Sequence, residues 1–206
     1  MQRKFFDIVA SGAGAVIVIA LVVAGSLLMW GASFANSNVH NQLEMQQIYF
    51  PPAAAFAHPK AGTEITPNMI PTVSQYAGQQ LLTGQQAEVY ANDFIAQHLY
   101  DMPYHGVYAT ISAAARAATP GSVQAQKLTA LEQVSFQGTT LRGLLLEAYA
   151  FSVFGTIAFW GAVASFALAA IMLVFVILGF VHARRTPETA ELLVHDTSVD
   201  ATTHAA

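Results

Sequence analysis

The sequence contains no cysteine among its 206 residues. This absence excludes disulfide bonds, iron–sulfur clusters, thiolate zinc sites and cysteine nucleophiles. Charge is also scarce, because charged side chains make up 10% of the chain, against about 25% in an ordinary soluble domain. The composition therefore predicts membrane embedding. The net charge of −4 is evenly scattered, without a basic stripe, which argues against nucleic acid as a partner.

Two long segments lack formal charge altogether. Residues Ile8–Val39 and Ala148–Val181 contain no Asp, Glu, Lys or Arg. A helix needs about 20 apolar residues to cross the hydrocarbon core of a bilayer, and both segments exceed this length. We therefore predict transmembrane helices at residues 8–35 and 148–183, the second continuous with a helix that begins near Thr140. Neither span contains the buried ionisable group that transport and proton relays require, which argues against active transport.

The first apolar segment has a competing interpretation as a cleaved signal peptide. Arg3 and Lys4 precede it, and Ser33-Phe34-Ala35 has the small residues of a cleavage site. The apolar part of a signal peptide is about 7–15 residues long. Because this segment is much longer, the sequence favours a transmembrane helix.

Basic residues flank both spans on one side. Arg3 and Lys4 precede the first span, and Arg184 and Arg185 follow the second. Lysine and arginine are retained on the cytoplasmic side of short flanks. We therefore predict that residues 1–7 and the tail 184–206 are cytoplasmic, with residues 36–147 on the outer face of a bacterial inner membrane. The tail is predicted to be disordered.

Between the spans, strand signals are weak and helix signals recur. Thr83, followed three residues later by Gln86, predicts a capping box that starts a helix over Gly84–Tyr100. Further helices are predicted over Val107–Ala118 and from Ser122 to Phe136, where Gly138 ends the helix. The predicted fold is an all-α membrane protein with two transmembrane helices and a small helical extracytoplasmic domain between them.

The first part of that domain is rich in proline and alanine. Residues Asn36–Gly62 are predicted to be irregular after a helix break at Asn36-Ser37-Asn38, although a short helix over Val39–Ile48 is an alternative. Small residues in the spans would let helices approach closely. In the second span they form no single clean row by spacing alone.

Candidate chemistry is confined to one short segment. His98 and Asp101 lie three residues apart on a predicted helix and could reach one metal ion, with His105 as a third ligand after Pro103. The alternative is an ordinary helix end, where His98 interacts favourably with the helix dipole. No catalytic or cofactor-binding residue is predicted. Arg142 is expected to pair with an acid of a neighbouring helix, such as Glu132.

Two segments resemble uncharacterised two-span membrane proteins of actinobacteria. They are Leu82–Leu99 (LTGQQAEVYANDFIAQHL) and Phe136–Phe151 (FQGTTLRGLLLEAYAF). The resemblance covers the middle of the chain and the second span. It implies the same topology and a bacterial inner membrane, and it transfers no activity and no functional residue.

The leading functional hypothesis is a non-enzymatic accessory or scaffold subunit. It would associate with itself or with other membrane proteins. The first alternative is a homo-oligomeric channel whose conduit is lined by the second span, and the second is an outward-facing ligand-binding or sensor protein. An enzyme ranks last because no acid–base or nucleophile pair is visible.

Overall fold

The computed structural model describes residues 3–60 and 63–187, and every regular element in this part of the chain is helical. A single isolated bridge joins Tyr49 and Gln80. The predicted disorder of the tail falls largely on residues 188–206, outside the described residues. The helices are α1 (Arg3–Gln46), α2 (Ile70–Val73), α3 (Gly84–Val89), α4 (Ala96–Asp101), α5 (Tyr108–Ala117) and α6 (Val123–Arg185), with a π-helical segment at Tyr90–Ile95 and 3₁₀ turns at Ala53–Ala57, Pro67–Met69, Ser74–Tyr76 and Pro103–Gly106.

Two helices, α1 and α6, are long and apolar enough to span a membrane. In their most apolar windows, only 17% of the α1 residues and 11% of the α6 residues are buried inside the protein. In a core helix of a soluble protein most of these residues would be buried, because other parts of the chain would cover the apolar side chains. The coarse prediction of an all-helical chain with two such helices is confirmed.

Two predicted helix breaks are wrong. α1 continues through Asn36 to Gln46, and α6 continues through Gly138 without interruption from Val123. Glycine in a helix costs about 1 kcal/mol relative to alanine, but Gly138 lies against another side chain. A Cβ atom there would lie 2.9 Å from Cδ2 of Leu99. The missing side chain makes room for this contact, so tertiary packing offsets the local preference.

Other local predictions are confirmed. The Thr83 side chain accepts a hydrogen bond from the backbone N–H of Gln86, whose side chain in turn accepts from the backbone N–H of Thr83. The helix predicted over Gly84–Tyr100 forms as α3, the π-helical segment and α4, while α5 matches the helix predicted over Val107–Ala118. Ser122 caps α6 by accepting from the N–H of Ala125 at 3.1 Å.

The chain divides into two compact units. Unit 1 comprises Met1–Met29 with Phe159–Ala206, and unit 2 comprises Trp30–Ala158. In unit 1, α1 and α6 meet through small residues. Ser11 lies against Gly179, and a Cβ atom at Gly14 would lie 2.8 Å from Cγ2 of Val176.

The buried α6 residues of unit 1 recur every seven positions, at Ala162, Ala169, Val176 and Ala183. A seven-residue repeat is typical of helices that cross at a shallow angle and pack along a narrow seam. The spacing of small residues alone does not reveal this row, because Val176 is one of its members.

Unit 2 has a core of large apolar side chains. Phe50, Met69, Val73 and Leu81 are almost completely buried, and they lie in one cluster with Leu145 of α6. Backbone hydrogen bonds from Phe50 to Gln79 and from Leu81 to Ile48 hold the irregular segment after α1 in place.

Candidate functional site

The three candidate metal ligands are close in sequence, but each is engaged separately. His98 and His105 direct Nδ1 at backbone carbonyl oxygens, and Asp101 accepts a side-chain hydrogen bond. Within residues 3–60 and 63–187, no three His, Asp or Glu side chains are grouped to hold a metal ion. The partners are the Phe94 carbonyl for His98 at 2.7 Å, Gln97 for Asp101 at 3.1 Å and the Tyr100 carbonyl for His105 at 3.2 Å.

A left-handed turn accounts for the position of His105. Tyr104, His105 and Gly106 have φ values of 59°, 51° and 63°, so the chain reverses directly after Pro103 and brings Gly106 back against the backbone of Leu99 in α4. The turn is anchored by Ser135, whose buried hydroxyl donates to the carbonyl oxygen of Gly106 at 2.6 Å. The His105 ring stacks on the ring of Tyr100 instead of joining His98 and Asp101.

Arg142 does not pair with Glu132, because both residues lie on α6 and ten residues of helix, about 15 Å, separate them. Its Nη2 donates to Oδ1 of Asn92 at 2.9 Å, and Nδ2 of Asn92 donates to Oε1 of Glu88 at 3.1 Å. The Nε atom of Arg142 is buried without a hydrogen-bond partner. The Arg142 guanidinium is thus connected to the Glu88 carboxylate through the side-chain amide of Asn92. Glu88 and Asn92 lie four residues apart on the helix predicted over Gly84–Tyr100, and this spacing is the sequence signal for their contact.

The π-helical segment is packed with aromatic rings. Local π-helices often lie at functional sites, but here Tyr90 packs edge-on against Phe50, with ring centroids 5.2 Å apart, and against Phe94 at 4.7 Å. Burial raises the pKa of the Tyr90 phenol above 10.0, and the negative charge of Glu64 raises this pKa further. The π-helical segment therefore contributes its aromatic rings to the core of unit 2.

A groove of about 280 Å³ lies between α1 and α6 in unit 2. Its lining is mainly apolar, and four polar side chains border it. None of these four makes a side-chain hydrogen bond within the described residues, so their donors and acceptors are available. The polar residues are Asn38, Gln42, Gln46 and Glu147, and the apolar lining consists of Val39, Leu43, Leu144, Leu145, Ala148 and Phe151.

Beside this groove, α6 presents a row of exposed apolar side chains. Leu144 is 55% exposed, Phe151 is 50% exposed and Phe154 is 64% exposed. Their spacings of seven and three residues place them on one face of the helix, with Glu147 between the first two. We call Leu144, Phe151 and Phe154 the α6 stripe. Large exposed apolar surfaces of this kind mark interaction sites.

A wider groove of about 600 Å³ lies elsewhere in unit 2, beside the left-handed turn. Tyr104 borders it, and Lys127 is its one charged side chain. A lone exposed cation defines no ligand chemistry. The α6 stripe and its groove are therefore the candidate functional site.

Comparisons of the chain with known protein families, with curated proteins and with solved structures give no match. The resemblance of residues 82–99 and 136–151 to actinobacterial membrane proteins stays a prediction, as do the channel and sensor alternatives. The function proposed below is therefore inferred from the geometry of the site.

Proposed function

We propose that this chain is a non-enzymatic, membrane-anchored assembly subunit that binds other membrane-anchored chains through the α6 stripe and the adjacent groove. In this proposal α1 and α6 cross the membrane. Residues 1–7 and 184–206 lie in the cytoplasm, and residues 36–147 form a domain outside it. The observation that carries the proposal is the exposure of the α6 stripe, which we place beyond the hydrocarbon core of the bilayer.

The length of α6 supports this position. Arg184 and Arg185 mark the cytoplasmic interface, and a helix rises about 1.5 Å per residue, so about 45 Å of helix separate Phe154 from Arg184. The hydrocarbon core is about 30 Å thick, and a tilt of about 40° lengthens the crossing only to about 39 Å. Phe154, Phe151 and Leu144 would therefore lie beyond the hydrocarbon core, so that the crossing part of the span predicted at 148–183 would begin near Trp160.

The tryptophans support the same boundary. Trp30 is 68% exposed and Trp160 is 64% exposed, so neither ring is taken up by the core of the protein. Tryptophan is enriched at the membrane–water interface, where its ring meets the headgroups. With Trp160 at the outer interface, the α6 stripe lies on its aqueous side. A cluster of exposed aromatic side chains in that position favours a protein partner that removes them from water.

Orientation has a direct test because the chain contains no cysteine of its own. Val123→Cys and Thr186→Cys each introduce one thiol. In intact cells a membrane-impermeant maleimide is expected to label the first variant, and to label the second only after permeabilisation. The reverse pattern would contradict the proposed topology.

Assembly is tested by particle mass after extraction in a mild detergent. The wild-type particle is expected to contain more than one polypeptide, and Phe154→Ala is expected to weaken the association at least tenfold, as for a central aromatic contact. Phe175→Ala is a matched control, because both phenylalanines are 64% exposed on α6 and Phe175 is predicted to face lipid. A wild-type particle that is strictly monomeric and free of partners would refute the proposal.

A further inference from the structure

We infer that unit 2 binds the sugar headgroup of a membrane glycolipid in a polar cavity of about 430 Å³. The inference goes beyond the assembly function and uses the same membrane placement. The volume lies within the range of about 300–1,000 Å³ that is typical of small-molecule sites. Three parts of the chain form the cavity, namely residues 36–41 of α1, residues 82–84 at the start of α3 and Ser152 of α6.

Glycines let these three walls approach one another. A Cβ atom at Gly84 would overlap the side chain of Ser152, so the start of α3 packs directly on α6. A Cβ atom at Gly155 would lie 3.0 Å from Oδ1 of Asn36, so the Asn36 side chain lies over α6. These contacts hold the walls at fixed distances, and the cavity is therefore part of the fold of unit 2.

The lining favours a ligand that is rich in hydroxyl groups. No Asp, Glu, Lys or Arg is among the described residues that line the cavity. Amides, hydroxyls and a neutral imidazole offer both donors and acceptors, as sugar hydroxyls do. A phosphate only accepts hydrogen bonds, and its sites usually present Arg or Lys. Five polar lining residues make no side-chain hydrogen bond within the described part of the chain: Asn36, Ser37, His40, Asn41 and Ser152.

The height of the cavity favours a headgroup that projects beyond the lipid phosphates. In the proposed placement Trp30 marks the outer interface, and residues 36–41 follow it on α1. At 1.5 Å per residue they lie about 9–16 Å further out along the helix. The headgroup layer extends about 5–8 Å beyond the hydrocarbon core. A ligand in the cavity therefore has to reach past this layer, which a sugar headgroup does and an ethanolamine does not.

The surface of α1 below the cavity favours a sugar that is attached to a lipid. Trp30, Phe34, Ser37 and Asn41 recur at intervals of four, three and four residues, so they lie on one face of α1. The exposed rings of Trp30 and Phe34 stack with centroids 5.7 Å apart. This face thus changes from aromatic to polar in the outward direction, and a glycolipid changes from apolar to polar in the same order. A free sugar would leave the two rings uncovered.

The test measures which lipids the full chain retains. The protein is extracted in a detergent without a sugar headgroup and placed in nanodiscs with equal amounts of diglycosyl diacylglycerol, phosphatidylglycerol and phosphatidylethanolamine. Native mass spectrometry then counts the lipids that stay bound. The glycolipid is expected to be retained about tenfold more often than phosphatidylethanolamine, because its hydroxyls pair with the lining. Equal retention of the three lipids, or a preference for phosphatidylglycerol, would overturn the inference.

Substitutions in the lining locate the site. Asn41→Leu and Ser37→Leu remove polar groups at exposed positions of α1, where leucine is a good helix former. Each is expected to lower retention of the glycolipid about tenfold, to the level of phosphatidylethanolamine. Asn68→Leu is the matched control, because Asn68 is exposed and lies outside the lining. Glycolipid retention at the wild-type level in both lining variants would show that the cavity is not the site.

Two further measurements complete the test. A soluble disaccharide at the concentration of the glycolipid is expected to leave the bound glycolipid in place, since it lacks the part that packs on Trp30 and Phe34; full displacement would overturn the lipid assignment. The mass of the wild-type particle separates the two proposals. A lone chain that retains the glycolipid would refute the assembly function only, whereas an assembled particle without sugar selectivity would refute this inference only.

Discussion

Units 1 and 2 contain parts of the same two helices but pack them by different rules. In unit 1 the contacts of α1 with α6 involve residues with little or no side chain, such as Ser11 against Gly179 and Gly25 against Phe166. In unit 2 the same helices contribute Leu43 and Leu145 to a cluster of large apolar residues. Along these two helices, the side chains buried in unit 1 are small and those buried in unit 2 are large.

The difference follows from the solvent that each unit is proposed to face. In water, burying one large apolar side chain stabilises the fold by about 1.5–3 kcal/mol. In lipid the surrounding chains are as apolar as leucine, so burial gains little, and helices associate through close van der Waals contact instead. Small residues allow that close approach. This contrast is what the proposed placement, with unit 1 in the membrane and most of unit 2 outside it, predicts.

The largest expected effect comes from removing a core ring in unit 2. Phe50 is 2% exposed and contacts the rings of Tyr76 and Tyr90. Phe50→Ala is expected to lower the free energy of unfolding by about 3–5 kcal/mol, through lost burial and a residual cavity. Hydrogen exchange of unit 2 amides in detergent measures this loss, with the exposed Phe175→Ala as control. A loss of unfolding free energy below about 1 kcal/mol would contradict a core that is stabilised by removing apolar side chains from water.

An effect of intermediate size is expected from enlarging a seam residue in unit 1. A Cβ atom at Gly25 would lie 2.9 Å from Cε1 of Phe166, whereas at Gly12 no atom lies within 4 Å. Gly25→Leu is expected to destabilise the helix pair by about 1–3 kcal/mol through overpacking. Gly12→Leu is the matched control and should be nearly neutral. Thermal unfolding in detergent compares the two, and equal effects would mean that close approach is not what holds unit 1 together.

The smallest effect concerns the pH dependence of unit 2. Because burial and Glu64 raise the pKa of Tyr90 in the folded state, the unfolded chain releases this proton first as pH rises. The stabilising contribution is therefore complete below about pH 10 and is lost as pH rises through the raised pKa. Tyr90→Phe should flatten the fall in stability above pH 10. Denaturant titrations from pH 9 upward measure this slope, and an identical slope in both proteins would contradict the assignment.

Much of the local structure was predictable because its signals lie within one or two helical turns. The lengths of the apolar segments predicted two helices able to span a membrane, and Thr83 with Gln86 predicted the start of α3. Capping depends on backbone groups three residues apart, so it needs no knowledge of the rest of the fold. The seven-residue row of Ala162 and its successors is also present in the sequence, but it is visible only when counted in heptads.

The sequence by itself therefore determined the helical class, the two long apolar helices and several helix starts. Only the tertiary structure decided that the helices run through Asn36 and Gly138, that Asn92 is the partner of Arg142, and that the turn at Tyr104 stacks His105 on Tyr100. The reason is physical. Local preferences are worth about 1 kcal/mol or less per residue, and contacts between residues distant in sequence exceed them. The exposure of the α6 stripe was also decided by the tertiary structure, because it depends on which faces of α6 the other elements leave uncovered.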